Sequence, residues 1–80
     1  MTIPVELQKV LSIDEEVMHG KVCFTGTRVP VTVFFDNLAD GMGAAEFLEE
    51  YPTVTEHQLN VVLKWTMSQA ERSLGLEFAS

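Results

Sequence analysis

Few side chains in this sequence could do chemistry. There is one cysteine, Cys23, and there are two histidines, His19 and His57. A thiol and an imidazole can form the nucleophile and base of a covalent mechanism. Here only the residue types point that way, because no spacing supports the pair. Val22 and Phe24 on either side of Cys23 describe a half-buried thiol behaving as a small hydrophobe. One cysteine excludes an internal disulfide and any zinc site built on several cysteines. The sequence has no glycine-rich phosphate loop, no paired histidines at ligand spacing and no Ser–His–Asp set. It therefore reads as a non-enzyme that needs no metal or cofactor.

What remains is binding chemistry. Arg28 is one cation among many acids and has two accounts. It anchors a turn through an ion pair with Asp14, Glu15 or Asp36, or its planar fork captures a partner carboxylate. Further along, His57, Gln58, Asn60 and Lys64 are DNA-contact candidates. Amide side chains can read adenine, and lysine can meet phosphate or guanine. A plain solvated helix face would carry the same residues. Val61 and Trp65 lie four apart, off the main apolar stripe, and tryptophan is enriched in interface hot spots. They form a partner surface or the margin of a wide buried face.

Charge and length limit these options. Twelve acids against five cations give a net charge of −7 over 80 residues. Nucleic-acid affinity comes largely from neutralising phosphates, so any DNA role requires a dimer or a more basic partner. Acidity is also an ordinary solubility device. Eighty residues make one domain, and such a chain buries roughly 60% of its unfolded surface, leaving a small core. The apolar fraction of 46% argues against disorder. No apolar run reaches membrane-spanning length and no leader pattern opens the chain, so a cytoplasmic protein without membrane contact is expected.

The elements that must position these residues follow from pattern. Ile3, Val5 and Leu7 alternate, but Pro4 opposes a central strand, so residues 1–11 are expected to be an edge strand or a docked arm. Ser12 with Glu15 has the form of a capping box opening a helix of about one turn, ended by Gly20, with His19 in the turn. Val22 and Phe24 can share one face of a short β ribbon that turns at Thr25-Gly26-Thr27. Pro30 keeps Val29 extended, and a helix is expected from about Val31 to Gly41. Its apolar face is Val31, Phe34, Phe35, Leu38 and Met42, and Thr32 is its expected cap.

A second helix is expected over 44–51, capped by Gly43 and ended by Pro52. The third starts at a Thr55–Gln58 capping box, with Val54 stapled onto Leu59. Leu59, Val62, Leu63, Thr66 and Ala70 form its stripe, and Gly75 ends it. The expected fold is mainly α, with residues 1–30 as an N-terminal arm and β ribbon. Residues 31–75 are expected to form a three-helix, homeodomain-like helix-turn-helix module.

The same residues carry a resemblance. Gly20-Lys21, Gly26-Thr27-Arg28-Val29-Pro30-Val31, Leu38-Ala39-Asp40-Gly41-Met42 and Glu49-Glu50-Tyr51-Pro52 resemble, in order and spacing, the family called domain of unknown function 433 (DUF433). The resemblance covers roughly Ile13 to Met67. It implies a homeodomain-like helix-turn-helix with a small β element. It also implies kinship with antitoxins of bacterial toxin–antitoxin pairs, whose usual partner is a PIN-like nuclease toxin. Val22 stands where the family usually has proline, Thr25 where it often has a cation, and Gly43 where it has a Ser or Thr cap. The missing cation weakens DNA contact by the ribbon. The expected function is an antitoxin-like protein that binds such a nuclease and, as a homodimer, its own operator DNA. The alternative is a protein-interaction module without a DNA role.

Overall fold

In the computed structural model, which describes residues 2–76, the chain is mainly α. Three helices follow a two-stranded antiparallel sheet. Strand β1 (Leu11–Ile13) pairs with β2 (Val22–Phe24), and α1 (Val31–Ala39), α2 (Ala44–Glu50) and α3 (Glu56–Ser73) follow. The register places Leu11 opposite Phe24, Ser12 opposite Cys23 and Ile13 opposite Val22. Alternation then sends Leu11 and Phe24 into the core, both buried, while Ser12 and Cys23 take the other face.

The turn after β2 is closed by several hydrogen bonds. Thr27 donates both its amide and its hydroxyl to the Phe24 carbonyl, at 3.0 and 2.8 Å. With Thr25 at negative φ and Gly26 at φ 79°, this is a type II turn, which needs glycine at its third position. The Thr27 hydroxyl also accepts the Val29 amide at 3.0 Å, and Phe24 N–H donates to the Val29 carbonyl. A single bridge, Cys23 to Pro30, closes the return limb. The expected ribbon turn is therefore present, but β2 finds its main partner upstream in β1.

That upstream partner corrects one expectation. Ser12 is a strand residue and caps nothing, because pairing of Leu11 and Ile13 with β2 outweighs one short helical turn. Residues 14–21 instead form a tight loop. The Asp14 carboxylate accepts the Glu16 amide, and Met18, His19 and Gly20 all take left-handed conformations. His19 is a turn residue, as its position suggests. Of the two forms expected at the N-terminus, the docked arm is found. Val5–Leu7 makes a single 3-10 turn, Leu7 and Val10 are buried, and Val5 breaks the alternation by facing water.

The helices follow the sequence signals closely. Thr55 and Gln58 form the full capping box, with Gln58 N–H donating to Thr55 Oγ1 and Thr55 N–H to Gln58 Oε1, both at 3.0 Å. Gly43 precedes α2. Helices α1 and α3 end in the same closure, Met42 N–H to the Asn37 carbonyl and Leu76 N–H to the Glu71 carbonyl, with Gly41 and Gly75 left-handed. Pro30, not Thr32, occupies the cap of α1, since its fixed φ suits a helix entry and no side chain bonds there. No helix among the described residues is long and apolar enough to cross a membrane.

The core gathers Phe24, Phe34, Phe47, Leu59 and Val62, all under 2% exposed. Of the residues expected there, Leu48 is only partly buried and Ala70 is exposed, and two more stand at the margin. Phe35 is 37% exposed, and Leu63 is only partly buried. Leu7, Val10, Leu11 and Val54 complete the buried cluster, leaving Phe35 and Leu63 at its edge. Phe34→Ala should therefore cost about 3–5 kcal/mol, and Leu63→Ala less than about 2 kcal/mol, in urea unfolding. Equal losses would mean that α1 and α3 are rotated from these positions.

Candidate functional site

The four DNA-contact candidates do not share one environment. His57, Asn60 and Lys64 are exposed along α3. Gln58 is half-buried, and both ends of its amide are already bonded. Its oxygen closes the capping box, and its Nε2 donates to the Thr25 carbonyl at 2.8 Å. That bond joins α3 to the type II turn, 33 residues away. Gln58 thus fastens the helix to the hairpin. The sequence showed its local partner, but nothing in local spacing could reveal the distant one.

Val61 and Trp65 are both half-buried and pack against the core cluster. Trp65 forms one wall of an apolar cavity of about 160 Å³, between the N-terminal arm, β2, α1 and α3. Ile3, Leu7, Val22, Val31 and Phe35 complete most of its lining. On the outer side of α3, Val61 and Trp65 also border a shallower hollow with Glu6, Lys64 and Arg72. Trp65 therefore stands between two depressions. The part played here by Phe35 and the N-terminal arm was missed by helical periodicity, which assigned Phe35 to the interior. Its adjacency to Phe34 was the available signal, because neighbouring residues cannot both point along the same inward direction.

Arg28 lies elsewhere. It is exposed and lines a cleft of about 250 Å³ with Ser12, Asp14, Lys21, Cys23 and Thr27. Among the described residues it makes no ion pair with Asp14, Glu15 or Asp36. The anchoring role expected of it is filled instead by the Thr27 hydroxyl and the backbone of the turn. Arg28 shares neither cavity with Val61 and Trp65.

Cys23 forms the floor of that cleft, buried to 3% exposure, more deeply than its flanks suggested. Burial pushes its thiol above the ordinary value, and the nearby Lys21 charge partly offsets this. A thiol held neutral is a poor nucleophile. Neither histidine lines the cleft beside it. Among the described residues, no group of three His, Cys, Asp or Glu side chains could hold a metal ion.

A family model described as "Protein of unknown function (DUF433)" matches residues 11–65. The chain belongs to this family. The match opens on the first residue of β1 and closes on Trp65, so it takes in the hairpin, α1, α2 and the first half of α3. Arg28, Gln58 and Trp65 all fall within the DUF433 stretch. No curated protein and no solved structure matches the chain.

The Gln58 bond gives a direct test of how hairpin and helix are joined. Thr55→Ala removes only the helix cap and should cost about 1 kcal/mol. Gln58→Ala removes the reciprocal cap bond and the Thr25 bond together and should cost about 2 kcal/mol. Chemical denaturation of both variants measures the difference, and equal losses would show that the distant bond adds nothing.

Proposed function

We propose that this chain is the antitoxin-like component of a bacterial toxin–antitoxin pair and that its partner is a PIN-like nuclease. The family supports this reading through the kinship that the DUF433 resemblance implies. The observation that carries it is the apolar depression around Trp65 and Phe35 on a chain of net charge −7. Tryptophan beside a desolvated hollow is the usual form of an interface hot spot. A nuclease binds an anionic substrate, so its mouth is electropositive, and an acidic inhibitor is steered toward it. Trp65 and Phe35 would supply the short-range contact and the acidic helix surfaces the long-range attraction. Such a complex is cytoplasmic.

Operator binding is the second reading. The helix order and the long, capped α3 are compatible with a homeodomain-like helix-turn-helix, and His57, Asn60 and Lys64 are exposed on the N-terminal two-thirds of α3. Net charge opposes this for a lone monomer, so a homodimer or a basic partner would be required. Without the DNA half, the chain is a protein-interaction module.

Co-expression with a PIN-like nuclease encoded beside it tests the first reading. The wild-type chain should co-purify with the nuclease. Trp65→Ala should weaken the complex by about 2 kcal/mol, or about 30-fold, with helicity unchanged by circular dichroism. Should Trp65→Ala unfold the chain, Phe35→Ala probes the same wall from a more exposed position. A wild-type chain that ignores the nuclease would contradict the reading. A low-salt mobility shift on the gene's upstream DNA, with and without the nuclease, tests the second. A shift is expected only with the partner present, and no shift in either case removes the DNA role.

A further inference from the structure

We propose that the cleft beside the type II turn is a carboxylate-binding site, in which Arg28 and Lys21 hold an acidic group of a protein partner. The cleft is distinct from the Trp65 depression and supplies the polar half of the contact in the nuclease reading above.

Charge distribution is the first support. The whole sequence has five cations, yet two of them line this one cleft of about 250 Å³. Neither forms an ion pair among the described residues. Lys21 lines this cleft and is close enough to the Cys23 thiol to act on it electrostatically. With no ion partner among the described residues, both cations are available to an anion in the cleft.

Preorganisation is the second. Arg28 sits between Thr27 and Val29, and the Thr27 hydroxyl bonds on both sides, donating to Phe24 and accepting from Val29. Phe24 is itself wholly buried. The backbone that carries the guanidinium is therefore fixed before any ligand arrives, which lowers the ordering cost of binding. The amides of Gly26 and Arg28, both on the cleft lining, donate to no backbone acceptor among the described residues. No side chain crowds Gly26, since nothing lies within 4 Å of where its Cβ would be.

The third support selects the ligand. Asp14 is the only acid on the lining, and the Glu16 amide holds its carboxylate at 2.9 Å. With Arg28 and Lys21 it leaves the cleft one net positive charge. A monoanionic carboxylate neutralises that charge and fits the two-pronged guanidinium. A phosphate dianion would leave excess negative charge against Asp14, and a nucleic-acid backbone would meet a chain of −7 besides. The occupant is therefore an Asp or Glu side chain, or a chain terminus, of a protein.

Titration of the full chain with sodium acetate and, separately, sodium phosphate, followed by amide NMR at constant ionic strength, tests the assignment. Acetate should give saturable shifts at Gly26, Thr27 and Arg28 and at the Arg28 Nε–H. Arg28→Gln should weaken them about tenfold with the rest of the spectrum unchanged. Lys21→Gln, on the other wall, should act in the same direction and serves where Arg28→Gln is misfolded. Asp14→Asn should raise phosphate affinity relative to acetate. Linear, unsaturated shifts, or tighter binding of phosphate by the wild-type chain, would overturn the proposal. No partner is present in the titration, so its failure removes the cleft alone, and failure of co-purification removes the nuclease reading alone.

Discussion

Three phenylalanine rings from three different elements hold this molecule together. Phe24 comes from β2, Phe34 from α1 and Phe47 from α2, with ring centroids 5.0–6.4 Å apart and every pair tilted or edge-on. Each such pair adds about 0.5–1.5 kcal/mol beyond the area it buries. In a domain this small that is a sizeable part of the net stability. Two strands of three residues would be marginal on their own. Phe24 makes them part of the core, and Leu59 and Val62 bring α3 onto the other side of the same cluster.

The hairpin is consequently a platform and not a flexible arm. Two fastenings hold it: Phe24 inside the core, and the Gln58–Thr25 hydrogen bond at its tip. This is why both candidate binding features can be built partly from it. Val22 reaches the wall of the Trp65 depression from one face of β2, and Cys23 forms the floor of the Arg28 cleft from the other. One short strand thus separates an apolar site from a polar one. A partner that engages both would bury greasy and charged surface together, which favours a specific geometry over loose adhesion.

Much of this was legible in the sequence because the signals were local. The Thr55–Gln58 box, the Gly41 and Gly75 stops and the Pro52 break act within a turn of helix, and each is found where the residues place it. Other expectations were not met. Ser12–Glu15 satisfies a local helix rule, but a strand ten residues downstream claims Ser12 for pairing. Phe35 satisfies a helical period, but Phe34 takes the inward position and Phe35 is left 37% exposed. Arg28 stands near acids in sequence, yet the turn is already fixed by the Thr27 hydroxyl, and the guanidinium pairs with no acid among the described residues. Gln58 reads as an exposed recognition residue until its bond to a distant carbonyl is seen. For Ser12 and Gln58 a non-local contact decided the outcome, and a single sequence does not display such contacts.

Hairpin and helices form one cooperative unit, which native-state hydrogen exchange can probe residue by residue. The amides of Phe24 and Thr25 donate to the Val29 and Val10 carbonyls within the hairpin. The account predicts that they exchange with the same opening free energy as the Val62 and Leu63 amides of α3, and with the same dependence on denaturant. Exchange of Phe24 and Thr25 by a separate, low-energy opening while α3 stays protected would contradict it.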